Sequence, residues 1–149
     1  RADTIETTYN DKFIVTTNTS TKHMAPIVAI AGCLGSFEPR KPPVPNLIDF
    51  EDKGVEYIIK DPNFYKGKDV VISGGGDSAL DWVIFLADGV ANKVTMVHRR
   101  SSFRGHLDSV QKVEDMAKSG RVTLLTDAEV IGITGDDNLN GIIVKTKEG

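Results

Sequence analysis

Cysteine is scarce in this 149-residue sequence, which carries a single one at Cys33. One cysteine excludes an internal disulfide framework, fits a reducing compartment and reads as a small buried hydrophobe. No apolar run approaches the ~20 residues of a membrane span, and no signal-peptide pattern is visible, so the expectation is a soluble, cytoplasmic protein with no membrane partner. A formal net charge of -3 offers no general attraction for nucleic acid. Low-complexity tracts and long internal repeats are missing too. The chain starts at Arg1 without a methionine, which reads as a fragment of a longer protein. One further absence bears on function: no acidic residue lies between Asp88 and Asp108.

What is present centres on one stretch. Asp69–Ser73 is short, β-branched and apolar, the pattern of a strand buried on both faces of a parallel sheet. Gly74-Gly75-Gly76-Asp77-Ser78-Ala79 follows at once. In a Gly-x-Gly-x-x-Ala pattern the first glycine permits a tight turn, the second lets a pyrophosphate approach the backbone, and the alanine allows close helix–strand contact. A helix is expected from Asp77 to about Gly89. Its bare N–H groups and dipole stabilise an anion at its start, Ser78 adds a hydroxyl donor, and Asp77 reads as the N-terminal cap. Three glycines also make a plain flexible turn. The preceding strand, the helix and a second strand over Lys93–His98 favour the nucleotide reading.

At this point the missing acid matters. An NAD site carries Asp or Glu about twenty residues beyond the glycines, where it holds the ribose 2′-hydroxyl. Here that place reads His98-Arg99-Arg100-Ser101-Ser102-Phe103-Arg104. Guanidinium groups donate in pairs to phosphate oxygens, so the loop suits a 2′-phosphate, and NADP is the expected cofactor. A solvated basic loop is the alternative. Phe103 reads as an anchor on the core. His98 has two readings: a contact to the 2′-phosphate or adenine, or an ordinary strand-end histidine. The candidate cofactor-binding set is Gly74, Gly75, Gly76, Asp77, Ser78, Ala79, His98, Arg99, Arg100 and Arg104, with no catalytic or metal-ligating residue assigned.

Around this centre, Phe13–Val15 and Ile27–Ala31 read as two strands joined by a polar turn over Thr17–Lys22. A lone hairpin is marginal in water, so residues 1–37 are expected to be the tail of a neighbouring domain. Pro39, Pro42, Pro43 and Pro45 favour an extended connector, giving a linker over 38–54 and a nucleotide-binding domain over 55–149 that opens with a strand at Val55–Ile59. Between Ala79 and Ala87 only Asp81 is polar, so that helix must be covered on more than one side. Either Trp82 and Phe85 meet the hairpin, another domain or another subunit, or the helix is simply buried in a thick core. Leu107, Val110, Val113 and Met116 recur at helical spacing up to a stop at Gly120. Arg121–Thr126 reads as a further strand, and Glu129–Thr134 with Gly141–Thr146 as an antiparallel pair. The expected fold is α/β: a Rossmann-like parallel sheet with flanking helices and an added antiparallel β-meander.

The glycine turn running on through Leu80-Asp81-Trp82, with Val97 to Arg104, resembles the NADPH-binding domain of thioredoxin-reductase-like ferredoxin–NADP reductases, within the pyridine nucleotide-disulfide oxidoreductases. Phe37-Glu38-Pro39-Arg40-Lys41 and the run from Lys60-Asp61-Pro62 to Lys68 are similar to the same family. The resemblance implies that residues 1–37 end the first half of an FAD domain and that a crossover joins it to the NADPH domain. It implies a flavoprotein in which NADPH gives hydride to FAD and electrons pass on to ferredoxin or flavodoxin, commonly as a homodimer. Thioredoxin reductases share these motifs but carry Cys-x-x-Cys before the glycine strand, where this sequence has Tyr57-Ile58-Ile59-Lys60-Asp61-Pro62. A thioredoxin reductase domain and a non-catalytic NADP-binding sensor module are the alternatives. No second glycine fingerprint occurs near the start, so the chain by itself is expected to bind NADP without reductase activity.

Overall fold

The computed structural model describes residues 2–8, 10–30 and 41–148. Cys33 and the Phe37–Arg40 part of the family-like segment lie outside them. The chain divides into two compact units, Arg1–Pro39 and Arg40–Gly149. Among the described residues no helix is long and apolar enough to cross a membrane.

The first unit is an antiparallel sheet of β1 (Ala2–Thr7), β2 (Phe13–Thr17) and β3 (Lys22–Ala25) in that order. The expected polar turn forms, but the returning strand is Lys22–Ala25; of the expected Ile27–Ala31, residues 27–30 form no strand and Ala31 lies outside the described residues. The turn is tighter than the apolar pattern suggested: Thr17 N–H donates to the Thr21 carbonyl at 2.9 Å, and Thr21 N–H donates to the Thr17 hydroxyl at 3.2 Å. Pairing therefore restarts at Lys22. Ile27 and Ile30 lie beyond the ladder, 80% and 82% exposed. Strand β1 has no apolar stripe to betray it, since all six of its residues are exposed.

In the second unit, β4 (Asp69–Ser73), β5 (Lys93–Val97) and β6 (Val122–Leu125) form a parallel sheet in chain order. Helices α1 (Asp77–Ala87) and α2 (Leu107–Lys118) make the crossovers. The register pairs Ser73 with Val97 and Val97 with Leu125, so the three carboxyl ends are level. Leu80, Val83 and Leu86 of α1 meet Val113 and Met116 of α2 over Val94, Met96 and Val122. Val94 and Met96 share one face of β5, so both helices cover that face. The strand at Asp69–Ser73 is thus buried on one face, not on two as its composition suggested, and Val71 is 40% exposed. Successive crossovers of one hand, stepping in one direction across a sheet, stack on one side. On the outer side of α1, Trp82 and Phe85 meet edge to face at 5.7 Å, with Phe85 48% exposed.

Two strands complete the unit, β7 (Glu129–Gly135) and β8 (Leu139–Lys145), paired antiparallel. Within 38–54, Val44, Leu47 and Phe50 are buried, and Leu47–Phe50 makes a 3₁₀ turn. The Phe50 ring lies beside Gly135, and the Lys53 carbonyl accepts from Leu139 N–H at 2.9 Å, so this segment packs on the hairpin. The strand expected at Val55–Ile59 does not form: Val55 makes only an isolated bridge with Glu51. Local bonds win there. Val55 N–H returns to the Phe50 carbonyl at 2.9 Å, and the Tyr57 hydroxyl donates to Glu51 at 2.8 Å.

Candidate functional site

In open parallel sheets, ligands bind beyond the carboxyl ends of the strands, and here the chain leaves β4 and β5 by the two stretches that carry the motif. Gly74 N–H donates to the Val97 carbonyl at 3.1 Å, extending the ladder one step before the chain turns. A Cβ on Gly74 would sit 2.9 Å from that of Ala79, which explains the glycine and alanine in that pairing. Gly76 is the N-cap residue of α1 in extended backbone, with nothing within 4 Å of where its Cβ would lie. Helical bonding starts with Ala79 and Leu80, whose N–H groups both donate to the Gly76 carbonyl. Among the described residues, the N–H groups of Gly75, Gly76, Asp77 and Ser78 find no acceptor. These donors, at the positive end of α1, are what an anion requires.

Asp77 is not the cap of α1. It is the first helical residue, and its Oδ1 accepts from the backbone N–H of His106, the N-cap residue of α2, at 2.6 Å. A carboxylate at the first helical position points back along the helix, where it finds a donor from the neighbouring helix. The acid is thereby satisfied by α2. Gly105 lies against this junction, where any side chain would strike Leu80 and crowd Asp77. Sequence reasoning passed over Gly105 and His106. The signal for both was a glycine directly ahead of an apolar helical stripe.

The second stretch is held close to the first. Arg104 N–H donates to the Gly75 carbonyl at 2.9 Å, joining the arginine loop to the glycine turn. Asp127 N–H donates to the Arg100 carbonyl at 3.3 Å. Arg99, Arg100 and Arg104 are exposed, and among the described residues none of their guanidinium groups makes an ion pair or side-chain hydrogen bond. His98, by contrast, is 8% exposed, with Nε2 3.0 Å from the Ser102 carbonyl oxygen and its ring stacked on Phe103. Phe103 packs against the core as an anchor. Among the described residues no group of three His, Cys, Asp or Glu side chains is placed to hold a metal ion.

Residues 69–149 match the family described as pyridine nucleotide-disulphide oxidoreductase. A ferredoxin–NADP reductase 2 from Christiangramia forsetii is 61% identical over 99% of this chain and 42% of its own length. A ferredoxin–NADP reductase from Flavobacterium johnsoniae is 54% identical over 97% of this chain and 41% of its own. The chain thus spans about two fifths of the curated relatives it matches. Among solved structures, thioredoxin reductase from Streptococcus pyogenes superposes with TM-score 0.63 at 29% identity, over 98% of this chain and 45% of that one. Thioredoxin reductase from Lactococcus lactis superposes with TM-score 0.67 at 23% identity, over 98% of this chain and 46% of that one, a likeness of fold. With its glycine turn opening a helix inside the matched span, the chain belongs to the pyridine nucleotide-disulphide oxidoreductase family.

Proposed function

We propose that the carboxyl-end site binds NADP, with the diphosphate on the N–H groups of Gly75 to Ser78 and the 2′-phosphate on Arg99, Arg100 and Arg104. The observation that carries this reading is the Arg104 N–H to Gly75 carbonyl bond, which joins the loop bearing Arg99, Arg100 and Arg104 to the glycine turn that opens α1. A Cβ on Gly76 would project into open space at that helix start, so its absence leaves room for a ligand to approach the backbone. In this reading the chain is the nucleotide-binding portion of a ferredoxin–NADP reductase, supported by relatives of that name at 54% and 61% identity. NADPH held by these residues would supply a hydride to FAD in the whole enzyme, and the two electrons would then pass singly to ferredoxin or flavodoxin. In this reading the whole enzyme works in the cytoplasm, in keeping with the single cysteine, and as a homodimer, as the family resemblance implies.

Thioredoxin reductase is the second reading, favoured by the solved structures of that name that superpose on this chain. Cys33 is the one thiol in these 149 residues, so this chain carries no dithiol to reduce a disulfide.

Calorimetric titration tests the site. Charge-assisted bonds are worth about 1.5–3 kcal/mol each, so Arg99→Ala and Arg104→Ala should each weaken NADP binding roughly ten- to a hundredfold while NAD binding barely changes. Equal losses for both nucleotides would show that these side chains do not read the 2′ position.

A further inference from the structure

We infer that His98 is a positioning residue for 2′-phosphate selection: its imidazole clamps the arginine loop to the glycine turn without touching the nucleotide. The inference rests on the site reading above. Three sides of the ring are engaged. One face stacks on Phe103, with centroids 4.9 Å apart and planes 20° from parallel. Nε2 lies 3.0 Å from the Ser102 carbonyl oxygen, and a carbonyl only accepts, so the ring proton is on Nε2. The imidazole also fills the space beside Gly75, where any Cβ would collide with ring atoms. That explains the middle glycine, which the fingerprint itself does not require.

The backbone of His98 is pinned as well. Its N–H donates to the Leu125 carbonyl at 2.8 Å, and its carbonyl accepts from Ala128 N–H at 3.0 Å. The ring therefore links a fixed strand end to the middle of a loop whose far end is tied to Gly75 through Arg104. Guanidinium groups on a loop already held in place lose less conformational freedom when they meet a phosphate. NADP engages both turn and loop, so it feels the relation between them. NAD lacks the second contact and senses the turn alone.

Parallel titrations of NADP and NAD on the 149-residue chain test the clamp. His98→Phe keeps a ring against Phe103 and Gly75 but removes the donor to Ser102. NADP affinity should fall about three- to tenfold, the size of one neutral hydrogen bond, with NAD affinity held within about twofold. His98→Gln returns an N–H donor and should restore NADP affinity to within about twofold of the unmodified chain. Equal losses for both nucleotides in His98→Phe, unchanged NADP selectivity, or no recovery in His98→Gln would each overturn the clamp. No preference for NADP in the unmodified chain would overturn the site reading and the clamp together. Should His98→Phe not fold, the ring ¹⁵N spectrum of the unmodified chain decides: a proton on Nε2 supports the clamp, and a proton on Nδ1 overturns it.

Discussion

At the scale of single residues, the site is held by groups whose partners lie far along the chain. Asp77 bonds to His106 backbone at 2.6 Å, tying the first turn of one helix to the start of the next. Losing a helix-start acceptor costs about 1 kcal/mol, so Asp77→Ala should lower the unfolding free energy by that amount in urea titration, and Asp77→Asn, which keeps the acceptor, by less. A second cluster sets pH dependence. The Lys41 ammonium, 2.6 Å from Glu51, and the Tyr57 hydroxyl hold the Glu51 carboxyl below its ordinary value. Its contribution to stability is present above the unfolded carboxylate range and fades as pH falls through the lowered folded value. Burial, reinforced by the bond to Glu51, pushes the Tyr57 hydroxyl up to about 12. That contribution is intact below the ordinary tyrosine value and is lost as pH rises through about 12. Urea midpoints measured across pH should show Tyr57→Phe losing part of the alkaline decline, whereas Glu51→Gln loses part of the acid decline.

Among the elements, α1 carries the most weight, because one helix both presents the anion-binding donors and seals the core. Leu80, Val83 and Leu86 are each fully buried against β5 and α2. Truncating such a side chain costs about 2–5 kcal/mol, so Leu86→Ala should shift the urea midpoint strongly. Leu86 sits at the far end of the helix from Gly76, and NADP affinity of the folded fraction should stay within about twofold. This element was legible in the sequence, as was α2, because Leu107, Val110, Val113 and Met116 repeat at helical spacing. The strand at Val55–Ile59 was misread. Its composition favours a strand, but no neighbouring strand is there to pair with it, while Glu51 and Phe50 offer closer bonds.

For the whole molecule, a formal charge of -3 means that an anionic nucleotide is drawn to a local patch and not to a general field. NADP affinity should therefore fall more steeply with added salt than NAD affinity, since in the proposed site only NADP places a phosphate among three exposed arginines. Parallel salt slopes for the two would count against the arginine assignment. Periodicity and glycine spacing by themselves determined the strand–turn–helix and the second strand, because each depends on neighbours within a few residues. Only the tertiary structure decided that β4 is covered on one face, that Asp77 serves α2, and that His98 lies under the turn. Those outcomes depend on which side of the sheet the crossovers take and on contacts such as Gly75 with His98, and a chain read in one dimension carries no distance between them.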